Sequence, residues 1–262
     1  MSSRIFCQEH MDEVQIAPFC LGTTALFSRR SPGKDTVNED SCALIKRAGD
    51  DSGVIVLADG AGGHSGGDLA SARAVESLVQ FCAASEHENT RVPILDAIEH
   101  ANEALLQQGQ GAATTLLAVE IEANKVRPYY IGDSTILITG QRGLIKFQSI
   151  AQSPVGYAIE SGIADEVEMR ASEDRHLVSN LLGTSELHMT VGPWIKLAQR
   201  DTLLLCSDGL TDNLFMDDII NSIRKGKLAS AANDLRSKVQ ANMEKPEGHP
   251  DDLSFVLFRL NP

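Results

Sequence analysis

Acidic residues stand at the ends of apolar stretches five times in this chain. "VIVLADG" ends at Asp59-Gly60, "YYIGDS" at Asp133-Ser134 and "LLLCSDG" at Asp208-Gly209. "PDDLSFVLF" starts just after Asp251 and Asp252, and "VNEDS" sets Glu39 and Asp40 before "CALI". One Asp beside a strand is ordinary turn chemistry. A repeated pattern predicts that strand ends gather carboxylates at one place. Two such charges about 4 Å apart repel by about 4 kcal/mol at an effective dielectric near 20. Bound divalent cations would relieve that repulsion, and Asp and Glu oxygens with water suit Mg²⁺ and Mn²⁺. The cysteines and histidines are not spaced as a zinc site. The chemistry this implies is hydrolysis by metal-held water, with two ions about 3.5–4 Å apart clamping a phosphoryl group.

The glycines after Asp59, in "DGAGGHSGG", fit this reading. Gly60 leaves its carbonyl free to face a cation, and the later glycines allow positive φ and close packing. The same stretch fails as a P-loop, because Asp68 and not Lys follows Gly67. It also fails as a dinucleotide motif, because Ser65 holds the last glycine position after Gly60 and Gly62.

These acids need strands to carry them and helices to cover the strands. Val54–Asp59 reads as a buried strand. Gly67–Ala84 reads as a helix with Leu69, Ala72, Val75, Val79 and Cys82 on its apolar face. "VPILDAIEHANEALL" is a second helix, with Ile94, Ile98, Ala101 and Leu105 inward. "ATTLLAVEIEANKVRPYYIGDSTILITG" reads as three strands turning at Asn124 and at "GDS". A mixed segment of short helices and loops runs from about Ile145 to Trp194. "DTLLLCSDGL" is a strand, "MDDIINSIRKG" and "LASAANDLRSKVQANM" are helices, and "DDLSFVLFRL" closes as a strand. That last strand is apolar on both faces, so both should be buried. Short turns between strands favour antiparallel pairing. Two stacked sheets with helices outside, an α+β α-β-β-α sandwich, satisfy the pattern.

The bulk numbers set outer bounds. The chain has 262 residues, and its 42% hydrophobic content suffices for a single domain over residues 1–262. A net charge of −13 argues against nucleic acid as a partner. No stretch is apolar enough to span a membrane, and the start lacks a secretory h-region. Five cysteines without paired spacing predict reduced thiols and a cytoplasmic location. Oligomeric state is not legible.

The motifs "VNEDS", "VLADGAGGHSGG", "GAATTLLAV", "YYIGDS", "LLLCSDGLTDNL" and "PDDLSFVLF", in this order, resemble the bacterial branch of the metal-dependent type 2C serine/threonine protein phosphatases. The resemblance covers about residues 20 to 260. It implies two Mn²⁺ or Mg²⁺ ions bridged by Asp59, with the Gly60 carbonyl holding one through water. Asp208 and Asp251 would ligate the other, and Glu39 or Asp40 would contact metal-bound water. Asp133 with Asp208 resembles the pair that holds a third ion in bacterial members. The segment of about 145–185 would be a flap that influences substrate choice, and the substrate would be a phosphorylated protein. His64 would be a proton donor, a group behind the metal ligands or a structural part of the glycine turn. The family's phosphate-gripping arginine falls on Asp35 here, which leaves Lys34 and Arg30 as candidates for the substrate phosphate. The family's Asp-Asn pair reads Asp251-Asp252. These departures keep a second reading open, a phosphoprotein-binding or regulatory module with little catalysis. A dinucleotide-binding enzyme is a more distant third.

Overall fold

The computed structural model describes residues 3–47, 51–61, 66–84, 90–109, 111–170 and 172–261. Strands β1 (Ser3–Cys7), β2 (Gln15–Phe19), β3 (Gly22–Arg29), β4 (Asp40–Lys46) and β5 (Ser52–Asp59) precede helices α1 (Gly67–Ala84) and α2 (Arg91–Gln108). Strands β6 (Leu116–Glu122), β7 (Lys125–Ile131), β8 (Thr135–Thr139) and β9 (Ile145–Gln148) follow. Then come α3 (Pro154–Glu160), α4 (Glu166–Arg170) and a 3-10 turn (Glu173–His176). The chain continues through β10 (Thr190–Val191), β11 (Ile195–Lys196), β12 (Thr202–Cys206), α5 (Asp208–Thr211), α6 (Met216–Ile223), α7 (Leu228–Met243) and β13 (Leu253–Leu260).

The strands form two antiparallel sheets. One runs β1-β4-β5-β6-β7-β10, with β11 also on β7; the other runs β2-β3-β13-β12-β8-β9. Alternation along the strands sorts side chains into layers. Ile55 and Leu57 of β5 face the core between the sheets, while Val54, Val56 and Ala58 face α1 and α2. Both faces of β13 are buried as expected: Phe255, Val256, Leu257 and Phe258 are each fully covered. On the far side, Ile219 and Ile223 of α6 and Leu235 and Val239 of α7 cover the second sheet. The result is the four-layer α-β-β-α sandwich that the sequence predicts.

Two local readings change. The buried face of α1 is Ala70, Ala74, Val75, Leu78 and Cys82, and Leu69 is 53% exposed. Small alanines let this helix lie close to the sheet, so the face is set by approach distance as well as by hydropathy. The segment after Ile145 is also not helix and loop alone. Its first four residues are the edge strand β9, paired with β8, and β10 and β11 pair with β7. The rest of the expected flap holds α3, which buries no residue, together with α4 and the 3-10 turn. Ile150, Tyr157, Ile159, Ile163, Val167 and Leu177 of this segment are exposed. Among the described residues no helix is long and apolar enough to cross a membrane.

Candidate metal centre

One end of the sandwich collects the acids. Asp40 opens β4 and pairs in register with Asp59, the last residue of β5. Asp208 follows β12 and begins α5; Asp251 lies just before β13; Asp133 lies between β7 and β8. Strands from both sheets therefore end here, and the antiparallel order brings distant sequence positions together.

The backbone is fixed by close contacts that the glycines permit. A Cβ on Gly60 would lie 2.3 Å from the Gly67 carbonyl oxygen and 2.9 Å from that of Glu39. A Cβ on Gly209 would lie 2.1 Å from the Asp252 carbonyl oxygen. Only glycine allows β5 to meet the start of α1, and α5 to meet the start of β13, at these separations. Asp59 is held from behind: Thr114 Oγ1 and the Thr115 amide donate to its carbonyl at 2.7 and 2.8 Å. The Asp59 amide in turn donates to Thr115 Oγ1 at 3.0 Å. These threonines read as strand formers in the sequence; their hydroxyls lock the acid in place.

The carboxylates act on one another. Burial, and then the charges of Asp208, Asp40, Asp251 and Asp133, push the Asp59 carboxyl far above the ordinary range. Asp208 is raised in the same way, by burial and then by Asp251 and Asp133. Burial and Asp252 raise Asp40 to about 7. Burial raises Asp133 to about 6, with Asp251 adding to it. Asp251 is raised chiefly by burial. Asp212, which the sequence reading passed over, joins the cluster and rises to about 6 through burial and the charges of Asp133 and Asp251. It is the residue just after the short helix that Asp208 begins.

Divalent cations fit this set. Asp40 is fully buried; Ser207 Oγ donates to its Oδ2 at 3.0 Å, while its Oδ1 is buried without a hydrogen-bond partner among the described residues. A buried carboxylate oxygen left unpaired costs about 1–3 kcal/mol or more, so it calls for a cation or an ordered water. Among the described residues no group of three or more His, Cys, Asp or Glu is arranged to hold an ion by itself. Mg²⁺-like ions bound by one or two carboxylates and completed by water are the fitting class.

The remaining candidates are placed as follows. Lys34 Nζ sits between Glu39 Oε2 and Asp252 Oδ2, at 2.6 Å from each. Burial alone would lower this lysine, but its bonds to Asp252 and Glu39 outweigh that and raise it. Arg30 is exposed on the same loop. Glu39 is partly covered and engaged with Lys34. His64 lies outside the described residues, as do Gly62, Gly63 and Ser65. Asp252 stands where the family pattern has Asn. It is 4% exposed and ties three elements together. Its Oδ1 accepts from the Ser31 amide at 2.7 Å, and its Oδ2 accepts from the Glu39 amide at 2.7 Å and from Lys34.

A cavity of about 360 Å³ opens beside Asp133 and Asp208, walled by the flap residues Ser153, Ile159, Arg170 and Arg175. Its floor is the acid cluster and its roof is the flap, so a ligand there would reach the carboxylates from the side. Gln152 anchors the flap to the floor: its Oε1 accepts from the Gly132 amide at 2.7 Å and from Asn180 Nδ2 at 2.6 Å.

Comparison with known proteins places this arrangement. The family model of protein phosphatase 2C matches residues 29–244. The chain is 30% identical over 252 residues to the protein phosphatase PhpP of Streptococcus pneumoniae, covering 91% of this chain and 96% of that one. It is 26% identical over 229 residues to the serine/threonine protein phosphatase PstP of Mycobacterium tuberculosis, covering 84% of this chain. It spans only 41% of the length of that relative. The catalytic domain of PstP in complex with two manganese ions superposes with a TM-score of 0.72 at 25% identity, over 90% of this chain and 96% of that one. With acids at the ends of its strands, a sandwich of two sheets and the family pattern running over residues 29–244, this chain belongs to the protein phosphatase 2C family.

Proposed function

We propose that the chain hydrolyses phosphoserine and phosphothreonine esters in proteins, using two Mn²⁺ or Mg²⁺ ions. Asp59, the Gly60 carbonyl, Asp208 and Asp251 would hold them. Asp40 and Glu39 would hold water at the rim, and Asp133 with Asp208 would take a third ion. When bound, such ions lower the pKa of water and polarise a phosphoryl oxygen. The observation that carries this reading is the buried Asp40 Oδ1, without a hydrogen-bond partner among the described residues, beside the Asp59 and Asp208 carboxyls that burial and mutual repulsion hold above their ordinary pKa range. The manganese complex of the PstP catalytic domain supports the choice of ion.

The chain's own groups orient and exclude. Thr114 and Thr115 fix Asp59, Ser207 fixes Asp40, and the flap covers one flank of the site. Lys34 spends two of its donors on Glu39 and Asp252, which leaves one N–H for a substrate phosphate. Arg30, exposed on that loop, would meet the same phosphate from outside. Cys7, Cys42, Cys82 and Cys206 are free thiols, which favours a reducing, cytoplasmic setting.

The test is Mn²⁺-dependent hydrolysis of p-nitrophenyl phosphate and of a phosphothreonine peptide. Asp59→Asn and Asp208→Asn should lower kcat by at least about a hundredfold, the scale of losing a principal charge-stabilising group. Rates equal to wild type would overturn the proposal.

A further inference from the structure

A second cleft, of about 530 Å³, lies behind the flap, against the turn at residues 244–249. It shares Arg170, Arg175 and Asp212 with the cavity that reaches Asp133 and Asp208. Those side chains therefore form a wall between the acid cluster and this outer space. Lys245 and His249 line the far side, and Glu247 is the acid on that turn. In a chain of net charge −13, Arg170, Arg175 and Lys245 give this cleft three cationic side chains against two acids, Asp212 and Glu247.

Their donors are unequally used. Arg170 is committed: its Nη2 donates to the Thr211 carbonyl at 3.0 Å, and its guanidinium lies 3.8 Å from the centre of the Phe215 ring. Among the described residues the Arg175 side chain donates one hydrogen bond, from Nη1 to the Ser172 carbonyl at 3.3 Å. Its Nε is buried with no hydrogen-bond partner among the described residues. Lys245 is exposed and donates to Asn242 Oδ1 at 2.7 Å, which leaves further donors on its ammonium. Asp212 stands in the wall itself, lining both cavities, and the charge of Arg175 acts on it.

From this geometry we propose that the cleft is a subsite for a second anionic group on the phosphoprotein substrate, bound by Arg175 and Lys245 while the phosphoester lies over the acid cluster. The ligand chemistry is a phosphoryl group or a carboxylate near the phosphorylated residue in the same chain. It would make charge-assisted hydrogen bonds with the Arg175 guanidinium and the Lys245 ammonium, which are roughly twice as strong as neutral ones. This inference rests on the phosphatase reading of the neighbouring site and adds a preference to it.

The experiment uses phosphothreonine peptides that differ at one flanking position, carrying phosphothreonine, Glu or Ala, scanned over several positions on each side. At some position, kcat/KM should favour an anionic residue over Ala by about tenfold, mainly through KM; tenfold corresponds to about 1.4 kcal/mol. A preference for the second phosphoryl group alone identifies that source, and equal preference for Glu identifies the carboxylate. Lys245→Ala, a surface change, and Arg175→Ala should each lower the ratio of anionic to neutral peptide, whatever happens to absolute rates. Dissociation constants of the same peptides, read by fluorescence anisotropy, report the subsite independently of turnover. A ratio near one at every position overturns the subsite and leaves the phosphatase reading standing, as does a ratio that neither variant changes. Absence of metal-dependent turnover, with the binding preference intact, would overturn only the phosphatase reading.

Discussion

Asp252→Asn is the sharpest single perturbation. The change is nearly isosteric and moves the chain toward the Asp-Asn pair that its relatives usually carry, so resemblance alone predicts little harm. The structure predicts the opposite. Both carboxylate oxygens of Asp252 accept from backbone amides, Ser31 on one and Glu39 on the other, each at 2.7 Å. An amide side chain has one acceptor oxygen, so its NH₂ must face a backbone N–H whichever way it turns. One buried amide then loses its partner, a cost of about 1–3 kcal/mol. The attraction of Lys34 is weakened as well; since Lys34 is 22% exposed, about 1 kcal/mol is a fair scale. The total is about 3 kcal/mol, a fall in Tm of about 6–12 °C for a chain of this size. Thermal unfolding by circular dichroism with metal chelated reads it directly. Lys34→Met should then cost about 1 kcal/mol less in the Asp252→Asn background than in wild type, because the partner charge has gone. An unchanged or higher Tm for Asp252→Asn, or strict additivity in the double mutant, would refute the reasoning.

Other expectations follow from the same contacts. Asn213 clamps α5 to the chain before Asp251: its Nδ2 donates to the Gly209 and His249 carbonyls and its Oδ1 accepts from the His249 amide. Asn213→Asp should lower stability by about 3 kcal/mol in urea unfolding and reduce kcat, since two carbonyls would then face a carboxylate. Thr115→Val removes the acceptor of the Asp59 amide and should lower Tm by about 3–6 °C, on the scale of one buried hydrogen bond. The metal-free protein should lose stability as pH rises from about 4 through about 7. Asp40, Asp133 and Asp212 carry folded pKa values of about 7, 6 and 6 against an unfolded value of 3.8, so the folded state binds more protons across that window. Mn²⁺ should reverse this slope, raising Tm more at pH 8 than at pH 5.5, because the ligands must be deprotonated. A metal-free Tm that climbs over that range would contradict the assignment.

The layers and the acid cluster were legible because they rest on short-range patterns. Short apolar runs such as "VIVLA" and "LSFVLF" mark the strands, each is flanked by an acid, and the antiparallel sheets bring those acids to one end. The helix at Gly67–Ala84 was legible in extent, but its buried face was not, since close approach to the sheet favours Ala70 and Ala74 over Leu69. The role of Asp252 was hidden because its partners, Ser31, Lys34 and Glu39, lie more than 200 residues away in sequence. Strands β9, β10 and β11 were hidden because they are short, and their pairing is set by the neighbouring strand and not by their own alternation. Asp212 and Arg175 were passed over for the same reason: only the folded chain sets them beside Asp133 and Asp208.

The central claim is that strand-end carboxylates form a binuclear cation site. Anomalous scattering from crystals of the protein grown with Mn²⁺ tests it most directly. The account predicts two adjacent peaks flanking the Asp59 carboxylate, one of them also within ligand distance of Asp208 and Asp251. No peak at that end of the sandwich, or manganese bound only elsewhere, would contradict it.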